Sequence, residues 1–230
     1  MTCASGQNVR MKDDQNRNNL KETYDKRYVL GDLAPSPYFA NQFRRIVVLA
    51  LPQGTKPKIL DLGGGTGQYS LILQELGYDV TLMDISEVAV QKARELGVNK
   101  SICVDFRDNS AGQDAYDIIL SKGFSLLNTS DIKEFNQVLR RMETLLIGNG
   151  AILFWSTTDQ SETWGTGRWF NFKLSVLKPC FDRLYLFPAL RHQLWMPEWL
   201  LALITFCCGS SPALFSRPLT LIGIRRARRE

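Results

Sequence analysis

The sequence has 230 residues, of which 44% are hydrophobic and 22% charged, an ordinary globular composition with enough chain for one domain and a sizeable core. Its net charge of +5 comes mostly from the final RRARRE, where four arginines against one glutamate give +3; we interpret this tail as a solvated terminus, which disfavours a nucleic-acid partner. Five cysteines without metal-ligand spacing and a single histidine, His192, disfavour a zinc site and favour free thiols in a reducing cytoplasm.

The chain begins with a polar segment, residues 1–19, which is rich in Asn, Gln and charge and is predicted to be disordered. This segment has no apolar core of the kind found in signal peptides or membrane anchors. Leu20, Tyr24 and Tyr28 follow at helical spacing, and residues 36–51 predict an amphipathic helix. The strongest apolar run comes much later, within the last forty residues, and at about half the length of a membrane span it predicts a core or lid helix.

From residue 58 onward, short apolar runs alternate with helical patterns, which predicts βαβ units and a parallel sheet with helices on both faces. The predicted strands are 58–62, 79–83, 101–104, 116–120 and 150–155, and the predicted helices are 68–76, 87–96 and 131–147, closed by Gly77, Gly97 and Gly148. Two late apolar runs, 182–190 and 218–227, predict an antiparallel pair of strands at one edge of the sheet. No repeat or linker divides the pattern, so we expect one domain.

A glycine-rich turn follows the first predicted strand, with Asp61, Gly63, Gly65 and Gly67 in the pattern D-x-G-x-G-x-G. Glycine is needed where a chain turns with positive φ and where a ligand approaches the main chain closely. A P-loop would end in Gly-Lys-Ser/Thr, and a dinucleotide fingerprint would require glycine where Gln68 stands. The turn therefore predicts a different ligand.

Two carboxylates flank this turn. Asp61 stands where a negative charge would repel a pyrophosphate but attract an ammonium group. Asp84 closes the next predicted strand, where a carboxylate can accept both hydroxyl protons of an adenosine ribose. One carboxylate for an amine and one for a ribose predict S-adenosylmethionine as the cofactor.

These residues resemble the class I S-adenosylmethionine-dependent methyltransferases of the small-molecule type, over about residues 58–158. The resemblance implies an α/β fold with a Rossmann-like, doubly wound, seven-stranded and mostly parallel sheet whose last strand is reversed. It also implies further side chains at the cofactor, namely Ile85 under the adenine, Asp105 and Phe106 at its amino group and ring, and Ser121 with Lys122 at the active-site opening.

The resemblance divides the domain, residues 20–230, into a cofactor-binding core at 58–158 and a substrate or lid region at 159–216. All five tryptophans follow residue 150, which favours an aromatic chamber for an acceptor of modest size, although some of them could simply pack the sheet edge. The family shares no general base, and His192 is the one catalytic candidate, with a structural role as its alternative. The residues predicted to bind the substrate are Tyr24, Tyr28, Trp155, Asp159, Trp164, Trp169 and His192.

The sequence thus predicts methyl transfer from S-adenosylmethionine to a nitrogen or oxygen of a small molecule by in-line displacement, leaving S-adenosylhomocysteine and requiring no metal. We expect a cytoplasmic enzyme of a metabolic or natural-product pathway, with no membrane span. Two alternatives stay open. The first is methylation of RNA or protein, but several such methyltransferases carry an Asn/Asp-Pro-Pro-aromatic motif after the fourth strand, where this chain has SKGFSLLN. The second is a non-catalytic cofactor-binding scaffold with the same fold.

Overall fold

One seven-stranded sheet organises the described part of the chain. The structure, a computed structural model, describes residues 18–29, 40, 43–44, 56–108, 115–158, 173–188 and 219–227. Its helices are α1 (residues 18–29), α2 (Gln68–Glu75), α3 (Glu87–Glu95), α4 (Ile132–Glu143) and α5 (Leu174–Leu177). Its strands are β1 (Lys58–Leu62), β2 (Asp79–Asp84), β3 (Ser101–Cys103), β4 (Tyr116–Lys122), β5 (Leu146–Thr158), β6 (Arg183–Pro188) and β7 (Leu219–Arg226), with 3-10 turns at Ser125–Leu127 and Lys178–Cys180.

The sheet has the strand order β3-β2-β1-β4-β5-β7-β6. β1 pairs in parallel with β2 and β4, and β4 pairs in parallel with β5. The last strand, β7, runs antiparallel to both of its neighbours, β5 and β6. This topology confirms the predicted fold class, including the reversed last strand and the late antiparallel pair.

Alternating side chains of the central strands build a core on each face of the sheet. On β1, Leu60 and Leu62 belong to the core that α4 covers, whereas Ile59 belongs to the core on the opposite face, which includes Leu73 of α2. α4 supplies its face through Phe135, Leu139 and Met142, which are spaced by four and three residues and are fully buried. Helices on both faces leave the ends of the strands as the open part of the sheet.

The end of α4 differs from the prediction, which extended this helix to residue 147 and closed it at Gly148. The helix stops at Glu143, and β5 begins at Leu146. The main chain of Leu145 is already in use by the sheet, because its carbonyl accepts the N–H groups of both Ala115 and Tyr116 at 3.1 Å. The glycine with a special role here is Gly150, where a Cβ would lie 2.8 Å from the Asp117 carbonyl oxygen.

The N-terminal helix begins earlier than the sequence pattern indicated. Asn18 and Asn19, which we assigned to the polar segment, are already helical in α1, and residues 1–17 lie outside the described residues. Ala40 and the pair at 43–44 are helical, while the rest of the predicted helix at 36–51 lies outside them. The apolar run in the late insert also lies outside.

The basic tail starts within the sheet rather than beyond it. Arg225 is 8% exposed, its Nε donates to Glu143 Oε1 at 2.7 Å, and its Nη1 donates to the Cys180 carbonyl at 3.3 Å. Our interpretation of the tail as a solvated terminus is therefore wrong for Arg225, because β7 carries this residue between two neighbouring strands. Residues 228–230 lie outside the described residues.

Candidate functional site

The glycine-rich turn joins β1 to α2 in left-handed backbone conformations. Gly63, Gly65 and Gly67 have φ values of +71°, +57° and +82°. The Gly63 N–H donates to the Met83 carbonyl at 2.8 Å, which ties the turn to the end of β2. Residues with a Cβ rarely adopt such φ values, so three glycines in register are what allows the chain to make this turn.

Two aromatic side chains lie directly against the bare main chain of the turn. A Cβ added at Gly63 would lie 2.8 Å from Cδ2 of Phe124, and one added at Gly65 would lie 2.7 Å from the hydroxyl of Tyr28. Both distances are shorter than Cβ contacts in folded proteins allow. The turn therefore serves close approach as well as chain reversal.

A cleft of about 510 Å³, open to solvent, lies beside this turn at the carboxyl ends of β1, β2 and β4. In open α/β sheets ligands bind at this end of the strands. Seven of the predicted site residues line the cleft: Tyr24, Tyr28, Gly63, Asp84, Ile85, Asp105 and Phe106. The sequence reasoning missed Leu20, Leu62, Met83, Val104, Gly123, Phe124, Ser125 and Leu126, which line it as well.

Phe124 is the most informative of the missed residues. It follows Gly123, which has a φ of +67° and stands directly after β4. Its ring packs edge-to-face on Phe106, with 5.4 Å between the centroids. A glycine followed by an aromatic residue at the end of a central parallel strand was the signal available in the sequence.

Asp84 ends β2 at the cleft and is 7% exposed. Its Oδ2 accepts the Gly65 N–H and its Oδ1 accepts the Ser86 N–H, both at 2.9 Å. Burial raises the pKa of this carboxyl, and the backbone N–H donors of Ser86, Gly65 and Ile85 oppose the rise. An ionised carboxylate has about four acceptor sites, so after these backbone donors it can still accept a hydroxyl group of a ligand.

Asp61 lies beneath the glycine turn and does not line the cleft. It is 2% exposed, and its Oδ2 accepts the Ser70 hydroxyl at 2.6 Å. A Cβ added at Gly64 would meet the Asp61 carboxyl carbon at 2.9 Å. Burial raises the pKa of Asp61 to about 6. The predicted contact with a ligand ammonium thus stays a prediction, and in this conformation the carboxylate supports the turn.

Asp105 and Phe106 follow β3 at the far end of the cleft. Oδ2 of Asp105 accepts Nη2 of Arg107 at 2.6 Å, and Oδ1 accepts its Nε at 3.0 Å, which makes a bidentate ion pair. A ligand amino group would share this carboxylate with Arg107. Phe106 is buried and presents an apolar surface to the cleft.

The end of β4 carries two polar residues that point to opposite faces of the sheet. Ser121 is fully buried, its hydroxyl has no hydrogen-bond partner, and it does not line the cleft. Lys122 lies on the α2 side, with Nζ 4.4 Å from the ring centroid of Tyr69 and 5.9 Å from that of Trp155. Burial lowers the pKa of Lys122, and the negative charge of Asp61 opposes this.

The predicted substrate residues are only partly described. Trp155 is buried in the core, with its ring centroid 5.5 Å from that of Phe43, and it does not line the cleft. Its position matches the packing alternative that we gave for the tryptophans. Besides Trp155 and the two tyrosines that line the cleft, four predicted substrate residues lie outside the described residues: Asp159, Trp164, Trp169 and His192.

Helix α1 forms one wall of the cleft and is fastened to α3. Oδ1 of Asp25 accepts the Ser86 hydroxyl at 2.5 Å and the Val88 N–H at 3.4 Å. Nζ of Lys92 donates to the Tyr28 carbonyl at 2.6 Å. Since Ser86 also caps α3 and donates its N–H to Asp84, the helix wall and the ribose candidate share one hydrogen-bond network.

Among the residues that the structure describes, no three His, Cys, Asp or Glu side chains are grouped so that they could hold a metal ion. Cys103 and Cys180, the two described cysteines, are free thiols. None of the described helices is both long enough and apolar enough to cross a membrane.

Comparison with known proteins adds a family match. Residues 59–150 match the family model described as a methyltransferase domain. No curated protein matches the sequence.

Many solved structures share the fold. One is a SAM-dependent methyltransferase from Methanosarcina mazei, with a TM-score of 0.55, 17% identity, and coverage of 86% of this chain and 100% of that chain. A second is the 1,6-didemethyltoxoflavin-N1-methyltransferase of Burkholderia thailandensis with bound 1,6-didemethyltoxoflavin and S-adenosylhomocysteine. Its TM-score is 0.55 at 17% identity, and the match covers 96% of this chain and 90% of that chain. A third structure is described by the conversion of a disulfide bond into a thioacetal group during echinomycin biosynthesis. Its TM-score is 0.60 at 16% identity, and the match covers 90% of this chain and 92% of that chain. At these identities the likeness establishes the fold.

Proposed function

We propose that this chain is an S-adenosylmethionine-dependent methyltransferase that methylates a nitrogen or oxygen atom of a small molecule, in keeping with the match of residues 59–150 to a methyltransferase domain. The observation that carries the proposal is Asp84, a buried carboxylate that lines the cleft and is held in place by backbone N–H groups. It stands beside the glycine turn, of which Gly63 lines the same cleft.

The residues at the cleft fit S-adenosylmethionine. Asp84 would hold the ribose hydroxyls, and Ile85 and Phe106 would pack on the adenine from two neighbouring strand ends. Gly63 lines the cleft, and its main chain lies against the Phe124 ring on the side where a Cβ would stand. The cofactor supplies, when bound, a methyl group on a positively charged sulfur.

The contribution of the protein to methyl transfer is then mainly positioning. Aligned reactants can gain about 7–11 kcal/mol from orientation, whereas a general base adds about 10²–10⁴-fold, roughly 3–5 kcal/mol. A thioether leaving group requires no proton. The aromatic pair Phe106–Phe124 and the docked helix α1 would limit the access of water to the cleft.

Two observations support a small acceptor over RNA. The Burkholderia enzyme of the same fold is a 1,6-didemethyltoxoflavin-N1-methyltransferase with that compound bound. In addition, Arg225, which the sequence places in the basic tail, has its charge committed to Glu143 within the core. A phosphate backbone would require such charges at the surface.

The test has two parts. Calorimetry with S-adenosylhomocysteine measures cofactor binding, and incubation with a radiolabelled methyl donor and an extract measures transfer. We expect heat of binding and label in the low-molecular-weight fraction. Label confined to RNA or protein would overturn the small-molecule assignment, and binding without label in any fraction would favour the scaffold alternative.

A further inference from the structure

Lys122 is a charged side chain for which the described residues provide aromatic faces but no oxygen ligand. Its Nζ lies 4.4 Å from the Tyr69 ring centroid and 5.9 Å from the Trp155 ring centroid, and the residue is half-buried. Within the described ranges, Nζ donates no hydrogen bond and makes no ion pair. An ammonium group has three N–H donors. The Lys122 ammonium faces aromatic rings, so its donors can still form hydrogen bonds to an acceptor.

Among the described residues, Asp61 places a negative charge on the same face of the sheet as Lys122. β1 and β4 are paired so that Asp61 lies opposite Leu120, and Lys122 is therefore one step closer to the carboxyl edge on the same face. The two side chains form no ion pair within 4 Å in this structure, and Asp61 already accepts the Ser70 hydroxyl. Asp61 thus favours the charged form of the lysine without occupying its donors.

The aromatic rings and the negative charge of Asp61 around Lys122 determine which kind of anion would bind. A partly desolvated ammonium attracts an oxyanion strongly, because the local dielectric constant is lower than that of water. The negative charge of Asp61 nearby would penalise a dianion more than a monoanion. A phosphate also requires several donors, whereas one ammonium and two ring faces suit a single carboxylate.

We propose that Lys122 binds a carboxylate at the carboxyl end of β4, next to the glycine turn. The inference rests on the proposed function and deepens it. The carboxylate has two possible sources, the amino-acid end of the cofactor or an acidic group on the acceptor. Lys122 does not itself line the cleft, but it immediately precedes Gly123 and Phe124, which do.

The experiment compares Lys122→Met and Lys122→Arg with the wild-type enzyme by calorimetry. The ligands are S-adenosylhomocysteine and 5′-methylthioadenosine, which keeps the nucleoside and thioether but lacks the amino-acid end. Lys100→Met is the matched control, because Lys100 is exposed and paired with Asp79 away from the cleft. Thermal unfolding checks that each variant is folded.

If the cofactor supplies the carboxylate, Lys122→Met weakens S-adenosylhomocysteine binding about tenfold or more. The variant then binds 5′-methylthioadenosine as the wild type does, and Lys122→Arg recovers part of the loss. If the acceptor supplies it, cofactor affinity is unchanged, and labelling of the acidic small-molecule fraction falls about tenfold while Lys100→Met labels normally.

Three results would overturn the inference. Lys122→Met with wild-type binding of both ligands and wild-type labelling shows that no carboxylate is bound there. An equal loss for the two ligands together with a lowered unfolding temperature shows a purely structural lysine. A wild-type enzyme that binds no S-adenosylhomocysteine removes the proposed function itself, and the inference with it.

Discussion

Asp84 is the residue in which the fold and the candidate chemistry meet. Its two backbone hydrogen bonds fix the turn at Gly65 and the start of α3, so the carboxylate is oriented before any ligand arrives. The remaining acceptor sites are charge-assisted, and each such hydrogen bond contributes about 1.5–3 kcal/mol. The same side chain therefore serves both structure and binding.

Replacing this carboxylate should abolish tight cofactor binding. We expect Asp84→Ala to weaken S-adenosylhomocysteine binding by at least about tenfold in calorimetry, since the hydroxyl acceptor is lost. Asp79→Ala is the control, because Asp79 begins the same strand at its opposite, exposed end. Asp84→Ala binding within about twofold of the wild type, in a folded protein, would contradict the assignment.

Asp61 predicts a pH dependence of stability. Its pKa is about 6 in the folded protein against an ordinary 3.8, so the native state binds more protons between these values. The contribution of Asp61 to stability is therefore fully present below about pH 3.8 and is lost as the pH rises through about 6. The free energy of unfolding changes by about 3 kcal/mol at most over this range.

Asp61→Asn keeps an acceptor for the Ser70 hydroxyl and removes the titration. We expect the free energy of unfolding of Asp61→Asn, measured in urea, to rise relative to that of the wild type between pH 4 and pH 6. Above this range the difference between the two proteins should stay constant. Parallel curves over the whole range would show that the buried carboxyl does not titrate there.

At the scale of elements, α1 depends on few contacts for its position over the cleft. Asp25 accepts the hydroxyl of Ser86 and the N–H of Val88, and Lys92 donates to the Tyr28 carbonyl. Lys21 and Glu87 form an exposed pair, which contributes little. Helix position and cofactor binding should therefore be coupled through Asp25.

We expect Asp25→Ala to increase hydrogen exchange in α1 and to weaken S-adenosylhomocysteine binding several-fold, since about 1 kcal/mol of docking energy is lost. Glu22→Ala is the matched control on the same helix, because Glu22 pairs only with the exposed Lys26. Equal exchange in the two variants would show that α1 is held by other contacts.

Periodicity and glycine placement predicted most of these elements, because central strands and amphipathic helices depend on local pattern. The predicted end of α4 was wrong because a non-local strand pairing competes with the helix. The Leu145 carbonyl accepts N–H groups from residues about thirty positions earlier in the chain. Phe124 and the sealed position of Asp61 likewise depend on which side chains the folded turn brings together. Spacing along the chain carries no information of that kind.

At the scale of the molecule, the reversed strand β7 is joined to the parallel part of the sheet by more than backbone pairing. Arg225 of β7 and Glu143 at the end of α4 form an ion pair whose side chains are 10% and 12% exposed. This pairing could not be predicted from sequence pattern, because Glu143 lies 82 residues before Arg225. The pair connects the last strand to the helix that covers one face of the sheet.

Breaking this pair should destabilise the whole domain. Arg225→Met leaves Glu143 buried without a partner, and removing one member of a buried pair costs about 3–5 kcal/mol. The double variant Arg225→Met with Glu143→Leu should recover much of the loss, because no buried charge remains. Lys100→Met, which breaks an exposed pair, should cost less than about 1 kcal/mol. Urea unfolding measures all three, and a cost for Arg225→Met no greater than that for Lys100→Met would mean that β7 is held by its strand pairing and apolar packing alone.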